Sequence, residues 1–255
     1  RAMNPTPSST RIPAQENRAF DLSIVVGTID EEKNIPVLYA SLNKVLEGIH
    51  WELVVVDDDS RDGTPDLLVQ MNREHPNVRF IRRIGRIGLS TAVIEGIMSC
   101  ASPIIAVMDA DGQHDETVLP AMVAKIRDEG FDIAVGSRYV PGGSVENWPE
   151  ERLKMSLTAN RIAKNLYGVP LADSGGNFFA IRRQVFERVV RRLSGRGFKL
   201  LFDILLLSPP ETKIIELPIK FSTRKVGDSK LSDFVKVEYG LQLWDHKFGR
   251  ILPAR

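Results

Sequence analysis

The chain has a single cysteine, Cys100, among 255 residues, which excludes an internal disulfide and leaves no thiolate cluster for structural zinc. Such sparing cysteine use is compatible with a reducing compartment. No run approaches the ~18 consecutive apolar residues of a membrane-spanning helix, so no such span is expected. Residues 1–20 are polar and proline-bearing, without the apolar stretch of a secretory signal, and are expected to form a disordered leader. Net charge is small, at +1, which disfavours a general nucleic-acid binder, and none is expected as a partner. Internal repeats and low-complexity segments are missing too. What remains, 43% hydrophobic and 26% charged residues, is the balance of a globular protein able to bury a full core.

The charge is unevenly spread. From Arg182 to Arg255 there are 16 Lys/Arg against 8 Asp/Glu, a balance of +8, and the preceding residues carry −7. An acidic front suits a metal or polar site and a basic back suits an anionic partner; drift of surface charge would give the same count.

From Asp21 onward, short β-branched runs alternate with helical patterns. Strands are expected at 22–26, 53–56, 78–81, 104–108 and 133–135, and helices at 34–46, after Thr64 and at 90–99. Continuous apolar strands between helices mean an α/β fold with a mostly parallel sheet covered on both faces. Further on, 142–149 reads as a loop, 151–167 as a helix, 178–181 as a strand entering an arginine-rich helix, and 214–219 as a strand. Over 231–248, Phe234, Val237, Leu241, Trp244 and Phe248 form one apolar helical stripe flanked by Lys236, Lys247 and Arg250. That helix either lies in a membrane interface or packs on the domain core.

In parallel α/β sheets ligands bind beyond the carboxyl ends of the strands, and three acidic clusters fall there. They are Asp30-Glu31-Glu32, Asp57-Asp58-Asp59 and the pair Asp109 and Asp111. Asp30 and Asp62 serve equally well as turn or cap residues. Asp109 and Asp111, one residue apart just past a buried strand, are placed to face one divalent ion, with Gln113 as a neutral oxygen ligand. Oxygen ligands favour Mg²⁺ or Mn²⁺, with substrate phosphate completing the shell. His114 beside them is expected to be a solvated loop histidine.

Seven segments in register complete the pattern: VVGTIDEEKNI, VVVDDDSRDGT, GRIGLSTAVIEG, MDADGQH, VGSRYVPGG, Asp173 to Arg183, and FSTRKVGDSKLS. In these the chain resembles family 2 glycosyltransferases of the GT-A fold, in the dolichol-phosphate mannose synthase-like, polyprenyl-phosphate branch. The resemblance implies a Rossmann-like GT-A catalytic domain over 21–228 and an amphipathic interfacial helix region over 229–255. It implies an inverting, metal-dependent enzyme at the cytoplasmic face of a membrane. The reaction would carry a hexose, foremost mannose from GDP-mannose, from a nucleotide-sugar donor to dolichyl or polyprenyl phosphate; UDP-glucose or another donor stays open. By position, Thr28, Glu31, Asp57, Asp58 and Asp109 would line the nucleotide-sugar pocket, and Asp109, Asp111 and Gln113 would hold the ion. Arg138 and Arg152 would grip the acceptor phosphate, and Arg224 and Lys230 would close over donor and acceptor phosphates. Relatives of this kind often continue into transmembrane helices, so a chain cut short of them is a further expectation.

The chain departs from the family pattern at Gly27, Ile29 and Asp30, where proline, an aromatic residue and asparagine are usual. It departs again at Gly176-Asn177, where a serine-glycine pair is usual. Two alternatives stand beside the main reading: transfer to a saccharide hydroxyl, and a catalytically silent nucleotide-sugar or phospholipid-binding module. The first would want a Gln-x-x-Arg-Trp segment, which Gln242-Leu243-Trp244-Asp245-His246 does not supply.

Overall fold

A computed structural model describes residues 20–195, 197 and 199–223. In chain order its elements are β1 (Leu22–Thr28), α1 (Asn34–Val45), β2 (Trp51–Asp57), α2 (Thr64–Glu74), β3 (Val78–Arg82), α3 (Leu89–Ser99), β4 (Ile104–Val107) and α4 (Leu119–Arg127). There follow β5 (Ile133–Ser137), β6 (Ser144–Val145), α5 (Glu150–Tyr167), β7 (Phe179–Arg182), α6 (Arg183–Val189), α7 (Leu200–Leu207), β8 (Ile214–Pro218) and β9 (Lys220–Phe221).

Seven strands form one sheet in the order β3-β2-β1-β4-β7-β5-β8, and β6 pairs with β9 apart from it. All neighbours in the large sheet are parallel except β7, which runs antiparallel between β4 and β5. The mostly parallel α/β sheet expected from the strand–helix alternation is therefore present. Alternate strand residues feed two cores, because successive side chains point to opposite faces. Leu22, Ile24, Val26, Leu53 and Val55 meet Ile35, Leu42, Leu68, Met122 and Ile126 on one face. Val25, Val54, Val56, Ile105 and Val107 meet Ala92, Val93, Ile97, Phe186 and Phe202 on the other. Each fully buried valine, leucine or isoleucine contributes about 1.5–3 kcal/mol. Close approach of α3 to the sheet depends on Gly96, where an added Cβ would sit 2.5 Å from Val25 Cγ1 and 2.8 Å from Val56 Cγ2.

Two elements depart from the sequence expectation. The 142–149 loop contains the short strand β6, and α7 was not anticipated at all. The reason is visible in its composition: Leu200 to Leu207 is apolar on every side except Asp203, so no 3.6-residue alternation marks it as a helix. The expected leader lies outside the described residues apart from Phe20, and the stripe-bearing helix over 231–248 lies outside them entirely.

Candidate active site

The carboxyl ends of β1, β2, β4 and β5 deliver Thr28, Asp57, the Asp109 turn and Arg138 to one edge of the sheet. The antiparallel β7 adds a second set. Phe179 pairs with both Val107 of β4 and Val135 of β5, so the residues leading into β7, from Asp173 onward, reach that same edge.

On the β1–β2 side, Thr28, Asp57 and Asp58 are buried. Among the described residues, Thr28 Oγ1 and Asp57 Oδ2 have no hydrogen-bond partner, an expensive state that a polar ligand relieves. Asp58 is tightly held: Arg83 Nη1 donates to Oδ1 at 2.5 Å and the Gly88 amide to Oδ2 at 2.7 Å. Burial pushes the Asp58 carboxyl above the usual range, while the Gly88 amide and Arg83 pull against it. Arg83 itself is buried, and nothing in its sequence surroundings marks it as part of the site.

The neighbouring acidic loops interlock. The Asp30 amide donates to Ser60 Oγ at 2.8 Å, the Arg61 amide to Asp30 Oδ1 at 2.7 Å, and the Glu31 amide to Thr64 Oγ1 at 3.0 Å. Asp62 accepts from the Thr64 amide at 2.9 Å, at the start of α2. Asp30 and Asp62 thus take the turn-building role, and the Glu31 carboxylate accepts from Asn34 Nδ2 at 2.6 Å.

Past β4, Asp111 is buried and its Oδ1 accepts from the Gln113 amide at 3.1 Å, whereas the Asp109 side chain is 37% exposed. Gln113 is anchored at both ends: its Nε2 donates to the Ser222 carbonyl, and its own carbonyl accepts from the Ser222 amide, each at 3.0 Å. His114 corrects the expectation of a solvated loop residue. It is 4% exposed, stacked on Phe178 with ring centres 5.1 Å apart, and edge-on to Phe221. Its Nδ1 accepts from the Asp109 amide at 3.1 Å, and burial lowers its pKa to about 4, so the ring is neutral at pH 7. The histidine is a brace behind Asp109, invisible in sequence because its two aromatic neighbours lie far along the chain.

No group of three or more His, Cys, Asp or Glu side chains arranged around a metal position occurs among the described residues. Two carboxylates and one side-chain amide oxygen are a hard-oxygen donor set. This fits Mg²⁺ or Mn²⁺, which take few protein ligands and share substrate phosphates, better than a fully protein-caged metal.

On the β5–β7 side, Arg138 Nε and Nη2 each donate to the Asp173 carboxylate at 2.7 Å, and the Arg138 amide donates to it at 3.0 Å. Burial works to raise the Asp173 pKa, but this bidentate partner holds it below the usual carboxylate range. The guanidinium also lies 5.1–5.4 Å from the ring centres of Trp148, Tyr139 and Phe221, and Arg152 stacks on Trp148 at 4.0 Å. Arg138 therefore does more than await an anion: it is the buried keystone joining β5 to the start of β7. Of the residues expected at the site, Thr28, Glu31, Asp57, Asp58, Asp109, Asp111, Gln113, Arg138 and Arg152 fall at this edge or the loops beside it. Arg224 and Lys230 lie outside the described residues.

The family model described as Glycosyl transferase family 2 matches residues 23–190. A dolichol-phosphate mannosyltransferase of Pyrococcus furiosus is 37% identical over 240 residues, covering 91% of this chain and 66% of that protein. The chain thus spans about two thirds of that relative's length. A polyprenol monophosphomannose synthase of Mycolicibacterium smegmatis is 33% identical over 82% of this chain and 80% of its own. A dolichol-phosphate mannosyltransferase of Saccharomyces cerevisiae is 31% identical over 91% and 90%, respectively. Among solved structures, glucosyl-3-phosphoglycerate synthase of Mycobacterium tuberculosis, crystallised with Mn²⁺, UDP and phosphoglyceric acid, superposes with a TM-score of 0.62. At 16% identity, over 92% of this chain and 80% of that one, it shows a shared fold.

Proposed function

The chain belongs to glycosyl transferase family 2 and is a glycosyltransferase, and from that premise we propose that it transfers mannose from GDP-mannose to a polyprenyl phosphate such as dolichyl phosphate, at the cytoplasmic face of a membrane. The observation that carries this reading is the meeting, at one sheet edge, of the Asp109–Asp111 turn with the Arg138 and Arg152 cations. Two anionic reactants have to meet, and opposite charges must be fixed beside them before they do.

Asp109, Asp111 and Gln113 would hold a divalent ion, Mg²⁺ or Mn²⁺, which when bound supplies charge neutralisation for a departing diphosphate. His114 keeps the Asp109 backbone in place. Arg152, backed by Trp148, presents its guanidinium near Arg138, whose own charge is balanced by Asp173. The acceptor phosphate monoester is largely dianionic at neutral pH, its second pKa being about 6, so no general base is required. One of its oxygens bonds to the anomeric carbon as the carbon–oxygen bond to the diphosphate breaks, with inversion.

Membrane contact has support in α5, which follows Trp148. Met155, Leu157, Ile162 and Leu166 are exposed along it, interleaved with Lys154, Arg161 and Lys164. Apolar side chains among lysine and arginine suit the boundary of an anionic bilayer. No helix among the described residues is long and apolar enough to cross a membrane.

The test is a donor panel with a short-chain polyprenyl phosphate, with and without Mn²⁺. Mannosyl phosphate product from GDP-mannose, dependent on the ion and inverted at the anomeric carbon, is expected. Turnover only with saccharide acceptors, or none with any donor, would overturn the reading.

A further inference from the structure

Lys199 precedes α7, in the layer of helices behind the sheet, yet its Nζ donates to the carbonyl of Gly175. Gly175 belongs to the segment between Asp173 and Phe178, which the antiparallel β7 brings beyond the ends of β4 and β5. An added Cβ on Gly175 would lie 3.3 Å from Lys199 Nζ, and one on Gly176 would lie 3.9 Å from Asp173 Oδ1. Asp173 in turn carries Arg138. A run of short contacts therefore joins the Lys199 ammonium to the Arg138 guanidinium. The absence of side chains at both glycines keeps that space open.

A lysine needed only to tie down the loop would gain nothing from its charge, since a carbonyl accepts from a neutral donor as well. Here the charge is costly. Burial lowers the Lys199 pKa to about 8, Arg138 and Arg152 push in the same direction, and Asp173 and Asp109 oppose them. A third cation set beside two arginines is unfavourable until an anion joins them.

We propose that Lys199 is a phosphate-binding residue of this site, its ammonium contacting an oxygen of the acceptor phosphate or of the donor diphosphate. This assignment rests on the transferase reading above. It adds a residue from the α6–α7 side of the molecule that no sequence motif indicated.

Reductive methylation of the full chain, followed at Lys199 by mass spectrometry, tests it directly. Labelling is compared without ligand, with GDP plus Mn²⁺, and with a short-chain polyprenyl phosphate. Protection of about tenfold by at least one ligand is expected, as suits a hydrogen bond to a charged group. Protection by GDP assigns the donor diphosphate; protection by the lipid phosphate alone assigns the acceptor. Unchanged labelling with both, at concentrations where each is shown to bind, overturns the proposal. Lys199→Gln retains a donor for the Gly175 carbonyl but removes the charge. Its KM for the protecting substrate should rise about tenfold or more, with partial recovery in Lys199→Arg. Unaltered kcat and KM in Lys199→Gln would also overturn it. Labelling uses the unmutated protein and reads binding, not turnover. Protection without any transfer would therefore count against the transferase reading alone, and transfer without protection against the lysine alone.

Discussion

At the amino end of β1 and β2, Ser23 donates to Glu52 Oε1 at 2.6 Å and shares a second hydrogen bond with Ser102. Arg79 then closes on both Glu52 oxygens, at 2.7 and 3.2 Å. At the carboxyl end of the same two strands, Thr28 Oγ1 and Asp57 Oδ2 are buried with no partner among the described residues. Both ends bury polar groups between the same strands, and only one satisfies them. A closed network is a structural device, since leaving any member unpaired is penalised. An open one stores that penalty for a ligand to relieve. The contrast separates scaffold from site without reference to any relative.

Three substitutions probe it, in descending order of effect. Asp109→Ala, at the open end, should lower transfer on the order of a thousandfold while leaving the melting temperature nearly unchanged, because that side chain is partly solvated. A variant retaining most of its kcat would remove the carboxylate turn from the chemistry. Next, His114→Phe keeps the ring stacked on Phe178 but removes the acceptor for the Asp109 amide. Mn²⁺ affinity, read by electron paramagnetic resonance, should weaken about tenfold or more, and His114→Asn should recover part of it. Equal affinities in the two variants would reduce the histidine to a packing residue. Last, Ser23→Ala, at the closed end, should cost about 1 kcal/mol in chemical denaturation with kcat and KM unchanged. A change in KM there would mean that the two ends are energetically coupled.

Much of this was legible beforehand. The strands through β5 are apolar enough to stand out, and the acidic residues after them fall where parallel sheets bind ligands. The Asp109–Asp111 spacing spoke for itself as a hard-cation motif. Other parts were not legible. Asp30 and Asp57 look alike in sequence, yet one builds a turn with Arg61 while the other keeps a buried oxygen without a partner. His114 looked like a surface residue until Phe178 and Phe221 closed over it.

By itself the sequence determined the α/β alternation, the carboxylate turn after β4 and the arginines following β5, because periodicity and spacing are local properties. Only the tertiary structure decided which polar groups are paired. The antiparallel insertion of β7 set Asp173 against Arg138 and drew Lys199 to Gly175, although these partners stand 35 and 24 residues apart in the chain. Pairing over such distances is fixed by how the strands are ordered in the sheet, and strand order is not written in any single segment.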